Sequence, residues 1–367
     1  MKPLGRAFNH LEDLTFFYGS LGVCEAVSHL HDMATKQGSN SIRMKWDGSP
    51  QIYWGREHAG GPLVLASHNS WSRGVKTQSP QEIRDFIINQ SGNAQTSQEI
   101  AARKKFADQF GDLYAYFDSA TPEDFQGFVY ADALFLEQPT STNQTFSFSP
   151  NAHSQTCYHV SVNSDLGKRI QLADVMVVGH AYFPKFGMLD HEQQPISDFE
   201  MFNNNHKLIV LGPVYNQSLI DVNLDATREI IHTLEQHCHN IDQFLETRKG
   251  LSDLKNIIYR YVNQSAKNQQ LDDIGTEHFM IWMKNSTVSS NKQQKIKELN
   301  LQFDNPIGAM LKLVTMIQNI KDDIINQLED TKGEIWDTNG EGRVRYADAS
   351  KQFGNIKLVP RKRWTPA

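Results

Sequence analysis

The residues best suited to chemistry lie in one short stretch, Ser41-Ile-Arg-Met-Lys-Trp-Asp-Gly-Ser-Pro-Gln-Ile-Tyr-Trp-Gly55. At its centre stands Lys45, followed by Asp47 and Gly48. A lysine amine can attack an α-phosphate and form a phosphoramidate when desolvation or a neighbouring cation lowers its pKa. Arg43, two residues away and on the same face of a strand, supplies such a cation. The plainer alternative is a β-hairpin, because Asp-Gly between alternating runs is a strong turn signal. In that hairpin Ile42, Met44 and Trp46 share one face, and Lys45 looks onto water or a pocket. Expelling pyrophosphate needs more than a nucleophile. Carboxylate-held Mg²⁺ and further basic groups have to meet the departing charge.

Groups of those kinds follow in order. Phe128-Val-Tyr-Ala-Asp-Ala-Leu-Phe135 is an apolar run with one acid, Asp132. A charge inside such a run has a partner or faces a site. Asp174 to Phe183 reads as a buried strand ending in the aromatics Tyr182 and Phe183. Asn339-Gly-Glu-Gly-Arg-Val344 sets Glu341 between glycines, where a backbone approaches a ligand closely. Gly354-Asn-Ile-Lys-Leu-Val359 puts Lys357 on a strand. Singly, each has an ordinary explanation: a salt-bridged strand Asp, core aromatics, a Gly-rich turn, an exposed strand Lys. Their order is what carries weight.

Two other groups are weaker. Ser67-His-Asn-Ser-Trp-Ser-Arg-Gly74 has hydroxyls, a His and Arg73, without triad spacing, and reads as a loop bordering a pocket. His232, His237, Cys238 and His239 are metal ligands by type. Successive helical residues point in different directions, so ordinary helical His and Cys is the better reading.

Positioning Lys45 and Asp132 falls to strands. Runs rich in β-branched and aromatic residues predict strands at 41–46, 51–55, 63–68, 125–136, 157–163, 174–183 and 207–214. Helices are predicted over 21–34 and from Ser79 through Tyr116, and 138–155, full of Ser, Thr, Asn and Pro, reads as a loop. From about Ser218 the pattern turns helical, with apolar stripes at Ile230, Leu234, Cys238, Ile241 and Leu245, then at Leu254, Ile257, Ile258, Tyr261 and Val262. The longest stripe comprises Leu313, Val314, Ile317, Ile320, Ile324 and Leu328. Polar 285–294 reads as a connection between helices, and strand patterns resume at 334–336, 343–346 and 355–359. The expectation is an α+β core over 1–217 and 334–367, interrupted by an all-helical insertion at 218–333.

Composition sets the outer limits. The 367 residues carry 36 Lys plus Arg against 42 Asp plus Glu, a net charge of -6, which argues against a wholesale basic nucleic-acid binder. Locally the balance reverses, since 334–367 holds seven basic residues, Arg361 among them, against four acids, and Trp364. That tail suits a phosphate backbone, or is a solvated charge run. Three cysteines exclude a disulfide framework, and the absence of a leader-like or spanning apolar run predicts a soluble cytoplasmic protein.

The ordered series resembles the covalent nucleotidyltransferases, the superfamily of ATP-dependent DNA and RNA ligases and mRNA capping enzymes. Lys45-Trp-Asp-Gly48 looks like its nucleotidyl-lysine motif, and Tyr130-Ala-Asp-Ala-Leu134 like the motif whose acid contacts ribose or metal. Tyr182–Phe183 is similar to the base-stacking motif, Glu341-Gly-Arg-Val344 to the later Glu-Gly motif, and Lys357 to the terminal phosphate-contacting lysine. The nearest likeness is to bacteriophage ligase-like proteins with Lys-Trp-Asp-Gly-Ser-Pro. It covers roughly residues 40–215 and 334–360. Pro50 stands where ligases usually have an arginine, for which Arg56 or Arg73 is the substitute, and Val359 replaces a second lysine.

The resemblance implies an ATP-grasp-like core of antiparallel sheets and an ATP-dependent polynucleotide ligase, acting in the host cytoplasm if phage-encoded. Lys45 is the nucleophile, and Asp47, Gly48, Arg56, Arg73, Asp132, Phe183, Glu341 and Lys357 hold the nucleotide. Asp132 and Glu341 hold Mg²⁺ or Mn²⁺, and RNA or DNA ends are the partner. Two alternatives are the same chemistry on an RNA cap or protein acceptor, and a non-catalytic nucleotide or nucleic-acid binding module.

Overall fold

The computed structural model describes residues 8–35, 42–44, 48–90, 96–150, 157–189, 192–194, 196, 198–212, 220–247, 251–328, 335–337, 344–346, 355–358 and 361. In chain order the elements begin with β1 (Phe8–His10), α1 (Leu14–Tyr18), α2 (Ser20–Thr35), β2 (Ile42–Met44), β3 (Gln51–Arg56), β4 (Val64–Ser67) and α3 (His68–Ser72). Next come α4 (Pro80–Asn89), α5 (Ser97–Asp112), α6 (Tyr114–Ala120), β5 (Gly127–Phe135), β6 (Ser141–Thr142), β7 (Thr145–Phe148), β8 (Tyr158–Ser161) and α7 (Asp165–Ile170). Then follow β9 (Val175–Phe183), β10 (Leu208–Leu211), α8 (Leu224–Glu246), α9 (Leu254–Lys267), α10 (Thr276–Lys284), α11 (Ser290–Gln302) and α12 (Pro306–Leu328). The last three strands are β11 (Ile335–Asp337), β12 (Val344–Tyr346) and β13 (Asn355–Leu358).

The class is α+β, and the chain divides into two compact units. One combines 46–214 with 332–338, the other 1–45 with 215–331 and 339–367. The first unit is built on a five-stranded sheet in the order β10-β9-β5-β3-β4. Its strands alternate, so each face has its own core. Ile52 and Trp54 of β3 pack with Val129 and Ala131 of β5 against Ile83, Phe110 and Phe117 from α4, α5 and α6. Tyr53, between them, faces the other way and packs with Trp71, Phe128 and Phe183. A second sheet, β11-β8-β7-β6, is wholly antiparallel.

The other unit gathers the apolar stripes of α2, α8, α9 and α12 into one core, with Val23, Leu30, Ile230, Ile241, Ile258 and Ile317 fully buried. A four-stranded sheet in the order β1-β13-β12-β2 belongs to it. At its heart is an ion cluster. Lys321 Nζ donates to both Glu12 oxygens at 2.7 Å, and Arg361 donates to Glu12 Oε1 at 2.9 Å and Asp13 Oδ1 at 2.6 Å. Arg361 also donates to Asn263 Oδ1 at 2.7 Å. Burial by itself pushes the Glu12 carboxyl up, but Lys321 and Arg361 outweigh it and hold Glu12 below its usual range. For Asp13 burial prevails and its pKa is raised.

Several expectations are corrected. The hairpin over 41–55 is not formed: β2 pairs with β12, while β3 lies between β4 and β5. Pro50 has no N–H to continue a ladder, and both edges of β3 are occupied. Two of the three described sheets are mixed and not antiparallel throughout, since β9–β10 and β1–β13 are parallel. Within the expected loop at 138–155, β6 and β7 form a hairpin whose Asn143-Gln144 corner has φ of 51° and 61°, the left-handed pair of a two-residue turn. Half of 285–294 is helical, because α11 starts at Ser290. The helical region begins near the expected 218, but it shares a unit with 1–45 and 339–367, so β12 and β13 sit with the helices and β11 alone rejoins the first unit.

Candidate functional site

β5 alternates Val129, Ala131 and Ala133 into one core, which leaves Phe128, Tyr130 and Asp132 on the opposite face. An acid there is expensive to bury unless partnered. Asp132 is 7% exposed, and β9 supplies its partner through a bulge. Tyr130 pairs with Ala181 and Ala131 with Gly179, so His180 is the extra residue. Its Nε2 lies 3.0 Å from Asp132 Oδ2. The other oxygen, Oδ1, accepts from the Tyr130 hydroxyl at 3.2 Å, and Gln51 Nε2 donates to that hydroxyl at 2.8 Å. Asp132, His180, Tyr130 and Gln51 thus form one hydrogen-bonded chain ending at the first residue of β3.

The end of the lysine motif is fixed to the same place. Ser49 N donates to Ala133 O at 2.9 Å, and Ala133 N donates to Pro50 O at 2.9 Å. A Cβ on Gly48 would stand 2.6 Å from both Asp132 Cβ and Ala133 O, so only glycine permits this approach. Beside Gln51 opens a cleft of about 450 Å³ between β3, β4, α3, α4 and α5, with Arg73 on its lining.

The expected site residues divide. Gly48, Asp132 and, through the cleft at Gln51, Arg73 come together in one region of the first unit. Lys45, Asp47 and Glu341 lie outside the described residues. Lys357 is on β13, with its backbone in register between His10 and Arg345. Arg56 is corrected from nucleotide contact to structural tie. Its Nη1 donates to Gly61 O at 2.7 Å and its Nη2 to Asp118 Oδ1 at 2.8 Å and Thr121 O at 3.3 Å, pinning the β3–β4 connection to α6. Phe183 is corrected likewise. It is 1% exposed, with Trp71 at 5.1 Å and Tyr53 at 6.3 Å between ring centroids, so its faces are taken by the core. Half-buried Tyr182 donates its hydroxyl to Gln126 O at 3.0 Å.

No cluster of three or more metal-ligating side chains occurs among the described residues. Asp132 contributes one carboxylate, the kind of ligand that would hold Mg²⁺ together with waters and phosphate groups. The imidazole beside it widens the fit to Mn²⁺. No described helix is long and apolar enough to cross a membrane.

Sequence reasoning missed His180, Tyr130 and Gln51 as a set. Gly179-His180 inside an otherwise apolar strand was the available signal, since glycine within a strand marks a bulge. It also missed Arg361, whose tail reads as suited to a phosphate backbone or to solvent, yet the side chain is fully buried with Glu12 and Asp13.

No curated protein matches the chain, and no solved structure does. A family model matches residues 7–67 and 87–365, leaving out the stretch with α3, most of α4 and Arg73. By that match the chain belongs to a family of unknown function, DUF6267.

Proposed function

We propose that the protein is an ATP-dependent nucleotidyltransferase that forms a lysyl-AMP on Lys45 and passes AMP to a 5′-phosphorylated polynucleotide end. The observation that supports this most is the close packing of Gly48 on Asp132. Two segments more than eighty residues apart, each suited to one part of nucleotidyl transfer, meet at a contact only glycine allows.

In this reading the neutral Lys45 amine attacks the α-phosphorus of ATP. A P–N bond forms, the P–O bond to the β-phosphate breaks, and pyrophosphate leaves with the electron pair while the amine proton passes to solvent. A 5′-phosphate oxygen of the acceptor then attacks the same phosphorus, and the P–N bond breaks to restore the lysine. A 3′-hydroxyl finally displaces AMP and joins the ends. Bound Mg²⁺ would neutralise phosphate charge. Asp132, oriented by His180 and Tyr130, holds a carboxylate beside the motif glycine, where ribose or metal is to be gripped. Arg73 provides positive charge on the adjoining cleft.

The deciding experiment is incubation with α-³²P-ATP or α-³²P-GTP and Mg²⁺, followed by denaturing electrophoresis. ATP is expected to label the wild type covalently, and Lys45→Ala to remove the label. If neither nucleotide labels protein pretreated with pyrophosphate to strip any resident AMP, the lysyl-adenylate route is wrong.

A further inference from the structure

The cleft beside Gln51 is lined by donors. Its lining includes Arg73, Arg103, His68, Gln90 and Gln51, and no Asp or Glu among the described residues. Two of its side chains bury donor atoms that lack a hydrogen-bond partner among the described residues, Arg103 Nη1 and Gln90 Nε2. A desolvated guanidinium N–H without an acceptor is costly, so folded proteins rarely keep one unless a ligand or water fills the gap.

The surrounding charges sharpen the point. Arg84, on the neighbouring helix α4, is matched by Asp112 at 2.5 Å and Asp108 at 3.6 Å. Among the described residues Arg103 has no ion pair of that kind. Its nearest helical acid is Glu99, one turn earlier on α5, and that carboxylate closes the helix end by accepting from Thr96 N at 2.8 Å and Thr96 Oγ1 at 3.0 Å. Two guanidinium groups on a concave surface without carboxylates form a natural receptor for a phosphate, which each can grip through paired N–H donors. About 450 Å³ is room for a nucleotide-sized ligand, and Phe106 and Ile87 give it an apolar wall.

We infer that this cleft binds a phosphate ester, with Arg103, Arg73 and the Gln90 amide as phosphate ligands and Gln51 linking it to Asp132. The identification of a phosphate site stands on the cleft alone. Only the source of the phosphate, a polynucleotide 5′ end, rests on the nucleotidyltransferase reading.

The test uses full-length protein carrying Lys45→Ala, so that binding is measured without covalent chemistry. A 3′-fluorescein 12-mer, RNA or DNA, is titrated by anisotropy with either a 5′-phosphate or a 5′-hydroxyl, and ATP is titrated by calorimetry. We expect the 5′-phosphate to tighten binding about tenfold or more, and added Arg103→Gln to erase that preference, as loss of one charged phosphate contact predicts. If the preference is absent but ATP affinity falls tenfold in Arg103→Gln, the cleft stands and its phosphate belongs to the nucleotide. Neither probe weakening in Arg103→Gln or in Arg73→Gln overturns the site. Arg84→Gln controls for loss of charge, and exposed Arg73 carries the test if Arg103→Gln fails to fold. Because the Lys45 label is scored separately, a chain that labels normally yet shows no phosphate preference and no ATP change sinks only the cleft. A chain that never labels but binds phosphate through Arg103 sinks only the covalent route.

Discussion

At the scale of single residues, Asp132 and Glu12 show two ways to keep a carboxylate inside a fold. Asp132 is held by an imidazole and a phenol, those of His180 and Tyr130, and keeps a slight opening to its surroundings. Replacing it by Asn preserves shape and removes charge. Asp132→Asn is expected to slow lysine nucleotidylation by about a hundredfold, the scale of losing one electrostatic contact in a site, while the melting temperature changes little. On the proposed route His180 works through Asp132, as a positioning residue. His180→Ala should cost roughly tenfold, as outer-shell partners typically do, and His180→Gln, which keeps an N–H donor, should recover part of it. A merely structural role would lower stability without that rescue.

Glu12 instead faces two full cations. Its pKa lies below the ordinary 4.5, so its stabilising share is complete above that pH and is lost as pH falls through the depressed value. Asp13 has the opposite sign. Pushed above its ordinary 3.8 by burial, it contributes below that pH and its share is lost as pH rises through the folded value. Glu12→Gln should therefore flatten the acid limb. Between about pH 5 and about pH 3 its urea midpoint should move less than that of the wild type.

Among the elements, the strand that starts at Gln51 and the segment just before it decide how the site is assembled. Gly48→Ala places a methyl against a carbonyl oxygen and the Asp132 side chain, both at 2.6 Å. Overpacking of this kind costs about 1–3 kcal/mol. The expected outcome is a modest fall in urea midpoint with a large fall in adenylate formation, because the clash falls where the lysine motif is anchored. Most strands and helices were legible in the sequence, because stripes such as Ile230–Leu245 and runs such as 174–183 bury enough apolar surface to fix their own type. Pairing was not. Asp-Gly announced a local turn, but Pro50 and the hydrophobicity of Ile52 and Trp54 drew β3 between β4 and β5. Asp132 and Gly48 could be read from type and order. His180 could not be matched to Asp132, since a one-residue bulge on β9 decides that contact and leaves no period in the sequence. Arg361 failed for a related reason, because a basic tail looks solvated until its distant acids are known.

For the whole molecule, neither unit is continuous in sequence. The chain passes between them after residues 45, 214, 331 and 338, so the C-terminal segment gives β11 to one unit and β12 and β13 to the other. Arg361→Met tests how far the second unit depends on that segment. Removing one partner of a buried ion group leaves charge uncompensated, at a cost of about 3–5 kcal/mol. Chemical unfolding of the variant should show this loss, with the transition moved to lower denaturant. A double variant that also neutralises Asp13 should regain part of it.

The Glu12–Arg361 contact spans 349 residues, and this has a consequence for how the protein comes into being. Ribosomes add roughly 5–20 residues per second, so Glu12 and Asp13 emerge about 20–70 s before the guanidinium that completes their burial. Until then the amino-terminal helices carry two acids in a setting meant to exclude water, with Lys321 also still to come. A nascent chain that has not reached Arg361 lacks the guanidinium that pairs with both acids, and leaving them uncompensated in the core is costly. Burial of these two acids is thus tied in time to the synthesis of one cation 349 positions downstream of Glu12.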